Sequence, residues 1–198
     1  MQIAVVADTH VPNRAPETPE WVRRRVAAAD HTVHAGDFDS RAELDRFRAW
    51  TDGDLTAVRG NIDPPAVDLP RVATVDVPVS TPSGGAATDA GDAGSGYRIV
   101  VTHGHRRGRD DPHDYTERVA DVVAANATGP PRWTLGVAGH THRLLDTRVD
   151  GYRLVNPGSA TETRPTGGGS MLELSIDGDG VEVTAYRDDE VVEVDAVE

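Results

Sequence analysis

Residues 1–10 read MQIAVVADTH, an apolar run followed by a short polar tail. The apolar positions 3–7 predict a buried strand, and Asp8 and His10 come directly after it. In α/β proteins, ligands bind beyond the carboxyl ends of the strands. The stretch therefore predicts an α/β fold with a functional site at the end of its first strand.

Outward from this strand, further strands alternate with amphipathic helices. In the helix predicted at residues 41–50, Leu44, Phe47 and Trp50 form an apolar stripe at helical spacing. The other elements expected in this half are a strand at residues 1–7, a helix at 16–28 and strands at 32–35 and 55–58. This βαβαβ order predicts a parallel sheet.

The rest of the chain predicts more strands and fewer helices. After a strand at residues 71–79 comes a Gly-, Ala-, Ser- and Asp-rich stretch at 80–96, which we expect to be a flexible acidic loop. Next come a strand at 97–102, a helix at 112–126, a strand at 134–138, and antiparallel strands at 144–149, 152–155, 171–176, 181–186 and 191–194. We expect a single domain, residues 1–198, in which two sheets pack face to face with helices outside.

The charge of the chain is unusual. The formal net charge is −13, and all 20 basic residues are arginine, with no lysine. A hydrated carboxylate surface keeps a protein soluble in concentrated salt, which predicts a halophilic source; an ordinary acidic cytosolic protein is the alternative. Such a charge argues against a broad nucleic-acid-binding face, since that affinity comes from basic side chains.

The residue types present limit both the metal chemistry and the location. The chain has no cysteine, so a transition-metal site must use His, Asp, Glu or Asn. No apolar run approaches the roughly 20 residues of a membrane span, and the first residues read as a strand instead of a signal peptide. We therefore expect a cytoplasmic protein without a membrane partner.

Four further motifs place potential ligands just after predicted strands. They are Gly36-Asp37, Gly60-Asn61, His103-Gly104-His105 and Gly139-His140-Thr141-His142. If the strands form one open parallel sheet, these motifs converge at one edge, and the glycines leave room for close backbone approach. In an extended chain, the i, i+2 spacing of Asp8 and His10 would put both side chains on one side.

These residues supply ligands for two divalent ions. Carboxylate, carboxamide and imidazole groups suit such ions, and a pair about 3.5 to 4 Å apart needs a bridging carboxylate, for which Asp37 is our candidate. We assign one ion to Asp8, His10 and His142, and the other to Asn61, His103 and His140. The expected chemistry is hydrolysis by a hydroxide that the two metals activate.

Together, the five ordered motifs resemble the calcineurin-like metallophosphoesterase superfamily, most closely its small YfcE-type phosphodiesterase branch. The resemblance runs from Met1 to about Ser159, where Asn156-Pro157-Gly158-Ser159 is similar to the last signature of the branch. It implies a four-layer αββα sandwich of two mixed sheets flanked by helices. It also implies two divalent ions, manganese first, with nickel, iron or zinc as alternatives, and hydrolysis of small phosphodiesters.

The third motif departs from the superfamily pattern. Many members carry a histidine after the asparagine as a general acid, but this chain has Ile62 there. We expect His105 or a metal-bound water to substitute, and activity on good leaving groups. We also assign Asp63 to the catalytic site, where it would orient Asn61 or hydrogen-bond a ligand histidine.

Other polar residues have a structural and a functional interpretation. We expect His31, His34 and His113 to be structural, and Asp39 to be a solvated turn residue rather than an extra ligand. For His105, a role as a metal ligand is weighed equally against a role in supporting the ligands or contacting the substrate. Asn156 and Ser159 are expected to fix a turn near the site, while three arginines either hold substrate phosphate or form solvated surface: Arg106, Arg107 and Arg109.

Two other functions are compatible with the sequence besides phosphodiester hydrolysis. A retromer subunit shares the implied fold and has lost activity with some ligands, so a protein-interaction scaffold is the alternative to an enzyme. A phosphomonoesterase or nuclease is a third hypothesis, disfavoured by Ile62 and by the acidic surface. Exposed edges in the β-rich C-terminal third could pair two copies of the chain.

Overall fold

The computed structural model describes residues 1–79, 96–106, 113–161 and 168–194. Its elements in chain order are β1 (Gln2–Val6), α1 (Glu20–Ala28), β2 (His31–His34), α2 (Arg41–Trp50), β3 (Leu55–Ala57), β4 (Val72–Val77), β5 (Tyr97–Thr102), α3 (Tyr115–Asn126), a 3-10 turn (Pro131–Trp133), β6 (Thr134–Val137), β7 (Leu144–Val149), β8 (Tyr152–Pro157), β9 (Ser170–Ile176), β10 (Val181–Arg187) and β11 (Glu190–Val192). The acidic loop expected at residues 80–96 lies outside the described residues, apart from Gly96.

The strands form two mixed sheets. The first has the order β11-β10-β9-β1-β2-β3, and the second has the order β4-β5-β6-β8-β7. Strands β1, β2 and β3 are parallel in the first sheet, and β5, β6 and β8 are parallel in the second. Each sheet therefore directs the carboxyl ends of three strands toward one end of the molecule.

The helices cover the outer faces of the two sheets. Ala4 and Val6 of β1 pack against α1 and α2, whereas Val100 of β5 packs against α3. Between the sheets lies the largest apolar cluster, to which β1 contributes Ile3 and Val5. Alternate residues of a strand point to opposite faces, so β1 is buried on both sides, and the expected αββα sandwich is confirmed.

Capping residues explain where two of the helices begin. Ser40 precedes α2 and its side chain accepts a hydrogen bond from the Glu43 amide. Asp114 precedes α3 and forms a reciprocal capping box with Glu117. Helix α3 therefore begins at Tyr115, three residues later than the sequence pattern predicts.

The strands of the C-terminal third divide between the two sheets. Strands β7 and β8 join the second sheet, where β8 lies parallel to β6, and β9 to β11 join the first sheet beside β1. The antiparallel pairing predicted within this region is confirmed for β7 with β8, β9 with β10 and β10 with β11. Turn signals show where a strand ends but not which sheet receives it, so they did not reveal the division between two sheets or the parallel pairing of β8 with β6. None of the helices in the described ranges combines the length and the hydropathy of a membrane span.

Candidate metal centre

Five strand ends from both sheets bring the predicted ligands together. Asp8, Asp37 and Asn61 follow β1, β2 and β3 of the first sheet, whereas His103 and His140 follow β5 and β6 of the second. The prediction of a single sheet edge was therefore wrong. The centre instead forms where the carboxyl ends of two stacked parallel sets meet, which lets donors approach from two sides.

Six polar residues of this region have left-handed backbone conformations. Their φ angles are positive although none is glycine: Asp8 (53°), His10 (52°), Asp37 (61°), Asp39 (70°), His140 (74°) and His142 (57°). The i, i+2 pairs are thus not extended, contrary to our expectation. Such conformations cost of order 1–2 kcal/mol per residue, and they cluster at functional sites, where the surrounding structure maintains them.

Glycines allow the loops to approach closely, as the motifs indicate. A Cβ added to Gly60 would lie 1.8 Å from Asp37 Oδ1, and one added to Gly139 would lie 2.8 Å from Asp8 Oδ2. Such contacts are far inside van der Waals distance. Only glycine at these positions leaves both carboxylates in place.

The first cluster consists of Asp8, His10 and His142, whose potential ligand atoms all lie within 4.8 Å of one another. Asp8 Oδ1 is 3.3 Å from His142 Nε2 and 3.7 Å from His10 Nε2, and the two ring nitrogens are 3.1 Å apart. Asp8 and His10 are fully buried. This cluster contains all three residues that the sequence assigned to the first ion.

Asp39 orients His10 from behind. Its Oδ1 lies 3.0 Å from His10 Nδ1, and the residue is buried, not solvated as we expected. The pairing favours the tautomer with the proton on Nδ1, which leaves the lone pair of Nε2 toward Asp8 and His142. A carboxylate that receives the second ring N–H is the usual support of a metal-binding histidine. Asp39 is therefore a site residue that sequence reasoning misjudged.

The second cluster consists of Asp8, Asp37 and His103, also with potential ligand atoms within 4.8 Å of one another. His103 Nε2 lies 3.2 Å from Asp37 Oδ2 and 3.0 Å from Asn61 Oδ1, while its Nδ1 donates to the Ala35 carbonyl at 2.8 Å. The His140 ring is adjacent, with its centroid 5.2 Å from that of His103. Asp8 is the carboxylate common to both clusters, so Asp37 as the bridge stays a prediction.

Proximity couples the protonation of Asp37 and His103. Burial opposes ionisation of Asp37, but hydrogen bonding to His103 outweighs it and lowers the carboxyl pKa to about 2. Burial likewise opposes charging of His103, but the bond to Asp37 raises the imidazole pKa to about 9. At neutral pH the proton therefore stays on His103, which forms an ion pair with the Asp37 carboxylate, and a cation there would compete with that proton.

The residues present fit a divalent cation. Asp8 Oδ1 is buried and accepts no hydrogen bond within the described part of the chain, while Oδ2 accepts the His140 amide at 2.8 Å. A buried carboxylate oxygen without a donor is costly unless a cation satisfies it. Carboxylate and imidazole donors together suit transition-metal ions and Zn²⁺. The structure thus contains two candidate Asp/His metal sites that share Asp8.

Asp63 binds backbone and not the side chains we expected. Its carboxylate accepts four amide hydrogen bonds, at 2.7 to 3.0 Å, from Gly60, Asp37, Phe38 and Asp39. In the described ranges, none of its hydrogen bonds goes to Asn61 or to a histidine. Asp63 therefore holds the loop after β2 in its left-handed conformation, which is a supporting role.

His105 lies at the margin of the centre. Its ring centroid is 5.5 Å from that of His103, and its Nε2 is 3.2 Å from the guanidinium of Arg71. Burial, with the nearby charges of His103 and Arg71, lowers its pKa to about 4. Since Arg71 can only donate, His105 Nδ1 carries the proton, and this buried atom has no partner among the described residues.

Buried polar residues with structural roles hydrogen-bond to the loops that carry the ligands. His34 is fully buried, stacks on Phe38 with ring centroids 3.6 Å apart, and accepts the Gly36 amide, as its expected structural role requires. Asn156 Nδ2 donates to the Gly139 carbonyl at 2.8 Å. The Ser159 hydroxyl donates to the Asp8 carbonyl at 2.8 Å, so both residues fix turns at the site.

Several residues with a possible functional role in the sequence lie outside the metal centre or outside the described part of the chain. His31 pairs with Thr56 at the far end of β2. Arg106 is exposed, whereas Arg107 and Arg109 lie outside the described residues.

Nothing in the sequence indicated one residue at the site, Tyr115. Its hydroxyl donates a hydrogen bond to the Gly139 carbonyl and accepts one from Asn156. It was missed because it lies within a helical pattern.

Known proteins resemble the chain over nearly its whole length. A probable metallophosphoesterase of Methanothermobacter thermautotrophicus is 28% identical over 192 residues, covering 94% of this chain and 92% of that protein. The zinc complex of Vps29 from Entamoeba histolytica superimposes with a TM-score of 0.70 at 20% identity, covering 97% and 96% of the two chains. A predicted phosphoesterase of Streptococcus pneumoniae gives 0.63 at 22% identity, covering 96% and 92%.

A sequence model of the calcineurin-like phosphoesterase superfamily domain matches residues 1–179. The matched range includes every residue of the two Asp/His clusters, together with Asn61 and His140.

Proposed function

Because this chain belongs to the calcineurin-like phosphoesterase superfamily, we propose that it is a two-metal phosphodiesterase acting on small substrates. The carrying observation is that buried Asp8 belongs to both Asp/His clusters. One carboxylate shared by two donor sets brings two cations close together, as a dinuclear hydrolytic centre requires.

We assign the ligands as the geometry groups them. Asp8, His10 and His142 hold one ion, and Asp37, Asn61, His103 and His140 hold the second, with Asp8 or Asp37 between the two. Bound divalent ions supply Lewis-acid activation of water and neutralise charge on the phosphoryl group. The mixture of histidine and carboxylate favours manganese, nickel, iron or zinc over magnesium or calcium.

From the side chains around the ligands, we expect a preference for diesters with good leaving groups. Ile62 is exposed at the position where many superfamily members carry an acid histidine, and it has no proton to give. With its pKa lowered to about 4, His105 is neutral at pH 7. We infer that Arg71 donates hydrogen bonds to substrate oxygens, that neutral His105 positions Arg71 by accepting a hydrogen bond from it, and that His105 is not a cationic acid.

The test is metal-dependent hydrolysis of bis(p-nitrophenyl) phosphate after chelation and reloading with each metal in turn. Asp37→Asn removes a carboxylate of the second cluster and should lower kcat/KM at least about 100-fold. Asp52→Asn is the matched control, because Asp52 also has a positive φ (50°) but is an exposed turn residue. Full activity in Asp37→Asn, or none in the wild type with any metal, would contradict the proposal.

The fold similarity to Vps29 supports a second candidate, a protein-interaction scaffold of low catalytic activity. Metal content and turnover separate the two functions. An enzyme should retain close to two ions per chain and hydrolyse the diester, whereas a scaffold should be folded without turnover.

A further inference from the structure

The peptide unit between Gly139 and His140 is held at both of its polar ends. Its N–H, which belongs to His140, donates to Asp8 Oδ2 at 2.8 Å. Its carbonyl, which belongs to Gly139, accepts a hydrogen bond from the Tyr115 hydroxyl at 2.8 Å. Because a trans peptide unit is planar, its N–H and C=O groups point in opposite directions. A donor that holds the carbonyl therefore also fixes the direction of the N–H that reaches Asp8.

The local backbone does not favour this orientation of the peptide unit by itself. The φ angle of His140 is 74°, a region that non-glycine residues rarely adopt. Gly139 on the other side has no side chain to restrict its own dihedral angles. Rotation of the peptide plane would return His140 to an ordinary negative φ and withdraw its N–H from Asp8. Contacts from other parts of the chain must therefore maintain the orientation.

The Tyr115 hydroxyl is the central member of these contacts. Asn156 Nδ2 lies within hydrogen-bond distance of three oxygen atoms, those of the Tyr115 hydroxyl (2.7 Å), the Gly139 carbonyl (2.8 Å) and the Thr141 hydroxyl (3.0 Å). An amide nitrogen carries two hydrogens, so it cannot donate fully to all three. Burial raises the pKa of Tyr115, so its hydroxyl keeps its proton. Tyr115 therefore accepts from Asn156 and supplies a further donor for the Gly139 carbonyl.

Helix α3 fixes the place of Tyr115 relative to the centre. The Asp114 capping box begins the helix at Tyr115, and the tyrosine ring packs so closely on Gly104 that a Cβ there would lie 2.7 Å from Cε2. Arg118, almost one turn later, donates to the Gly104 carbonyl at 3.4 Å. The first turn of α3 is thus attached to the loop that carries His103.

We propose that Tyr115 is a positioning residue that fixes the orientation of Asp8 through the Gly139–His140 peptide unit, and thereby sets the affinity of the centre for both divalent ions. Asp8 belongs to both Asp/His clusters, so a rotation of its carboxylate would disturb both donor sets. The peptide unit holds Oδ2, whereas Oδ1 accepts no hydrogen bond within the described ranges. The inference rests on the metal centre of the proposed function but not on its hydrolytic step.

The test is Tyr115→Phe, which removes the hydroxyl and keeps the ring. Chelated protein is titrated with Mn²⁺, and free Mn²⁺ is measured by electron paramagnetic resonance. We expect both binding steps to weaken about tenfold, at the lower end of the range for the loss of a residue that supports a metal ligand. In NMR spectra of the metal-free protein, the His140 amide proton should move upfield, because its hydrogen bond to Asp8 lengthens. A role in packing α3 alone would leave both readouts unchanged in folded protein.

The matched control is Tyr152→Phe. Tyr152 is the first residue of β8 and packs on the same apolar cluster as Tyr115, whereas Asn156 lies near the other end of that strand. This control should keep the wild-type Mn²⁺ affinities and the wild-type His140 amide resonance. Circular dichroism and the melting temperature in chelator show that each variant is folded.

Three results would overturn the role of Tyr115 in positioning Asp8. They are wild-type affinity of Tyr115→Phe at either binding step, an unchanged His140 amide resonance, and an equal loss of affinity in Tyr152→Phe. A wild-type chain that binds no Mn²⁺ would instead overturn the metal centre of the proposed function, and this inference with it.

Discussion

At the scale of single residues, the candidate centre depends on backbone conformations that most residues avoid. Asp8 and His10 both have positive φ. Backbone hydrogen bonds to the loop after β2 maintain these conformations: the Asp8 amide donates to the Gly36 carbonyl, and the His10 amide donates to the Asp37 carbonyl. The loop after β2 thus holds the loop after β1 in its strained backbone conformation. The strain is maintained by tertiary contacts and aims the side chains of alternate residues at one point.

Replacement of Asp39 by alanine tests the orientation of His10. The Nδ1 proton of His10 would lose its carboxylate acceptor, so the ring could rotate or change tautomer. Loss of such a supporting partner typically costs 10 to 100-fold in metal affinity, and we expect this range for the ion at Asp8, His10 and His142. Metal titration of the chelated variant measures it. Wild-type affinity at both ions would show that Asp39 does not orient the ligand.

His34 predicts a pH dependence of stability. Burial, followed by the charge of nearby His103, lowers its pKa well below 6.5, so the folded chain keeps the ring neutral. The unfolded chain takes up a proton as pH falls through about 6.5, whereas the folded chain does not. The contribution of His34 to stability is therefore complete above pH 6.5 and is lost below it, by up to about 1.4 kcal/mol per pH unit.

Urea unfolding of chelated protein at pH 7 and pH 5 measures this contribution. His34→Gln cannot titrate but retains hydrogen-bonding groups for Thr9 and Gly36. Its stability should fall less between the two pH values than that of the wild type, by about 2 kcal/mol at most. Equal pH slopes would show that His34 does not cause the acid sensitivity.

At the scale of elements, the loop after β3 organises the loop after β2. Asp63 accepts amide hydrogen bonds from its own loop and from Asp37, Phe38 and Asp39, which follow β2. The Ile62 amide in turn donates to Asp37 Oδ1 at 3.2 Å. The two loops therefore form one unit, in which a buried acidic side chain replaces the regular hydrogen bonds of a sheet.

Asp63→Ala should destabilise the fold and disorder the second metal cluster together. Four buried amides would lose their charged acceptor, which we expect to cost about 3 kcal/mol, or roughly 6 to 12 °C in melting temperature. Asp68→Ala is the control, because Asp68 is an exposed acidic residue a few positions away on the same connection. Equal melting temperatures of the two variants in chelator would contradict the anchoring role.

At the scale of the whole molecule, two features determine stability: apolar cores on both faces of the sheets and a strongly acidic surface. The core lies between the sheets, with smaller clusters under the helices. The net charge of −13 adds self-repulsion that salt screens. Arginines offset part of it locally, as where Arg25 binds Glu173 and Asp189 and joins α1 to β9 and to the turn after β10.

Melting temperatures from dilute buffer to molar salt test the predicted halophilic character. We expect stability to rise with salt concentration, since the Debye length falls from about 10 Å at 0.1 M to about 3 Å at 1 M. Potassium chloride and sodium chloride should act alike if screening is the cause. A melting temperature that is unchanged or falls across this range would show an ordinary acidic protein.

Much of the fold followed from local pattern. The apolar run of β1, the stripe of α2 and the β-strand segments lie close to their predicted positions, because burial and periodicity act within a few residues. The αββα sandwich was implied by the motif resemblance and is confirmed. Local pattern did not reveal that β8 lies parallel to β6, since strand pairing depends on contacts between distant segments.

The sequence by itself determined the chemistry of the centre: carboxylate and imidazole donors after strands, glycines at the close approaches, and no thiolate. Only the tertiary structure decided which donors meet. It placed Asp8 in both clusters, put Asp39 behind His10 and bound Asp63 to backbone amides. The physical reason is that residue types are local, whereas left-handed loops and the meeting of two sheets exist only when long-range contacts maintain them.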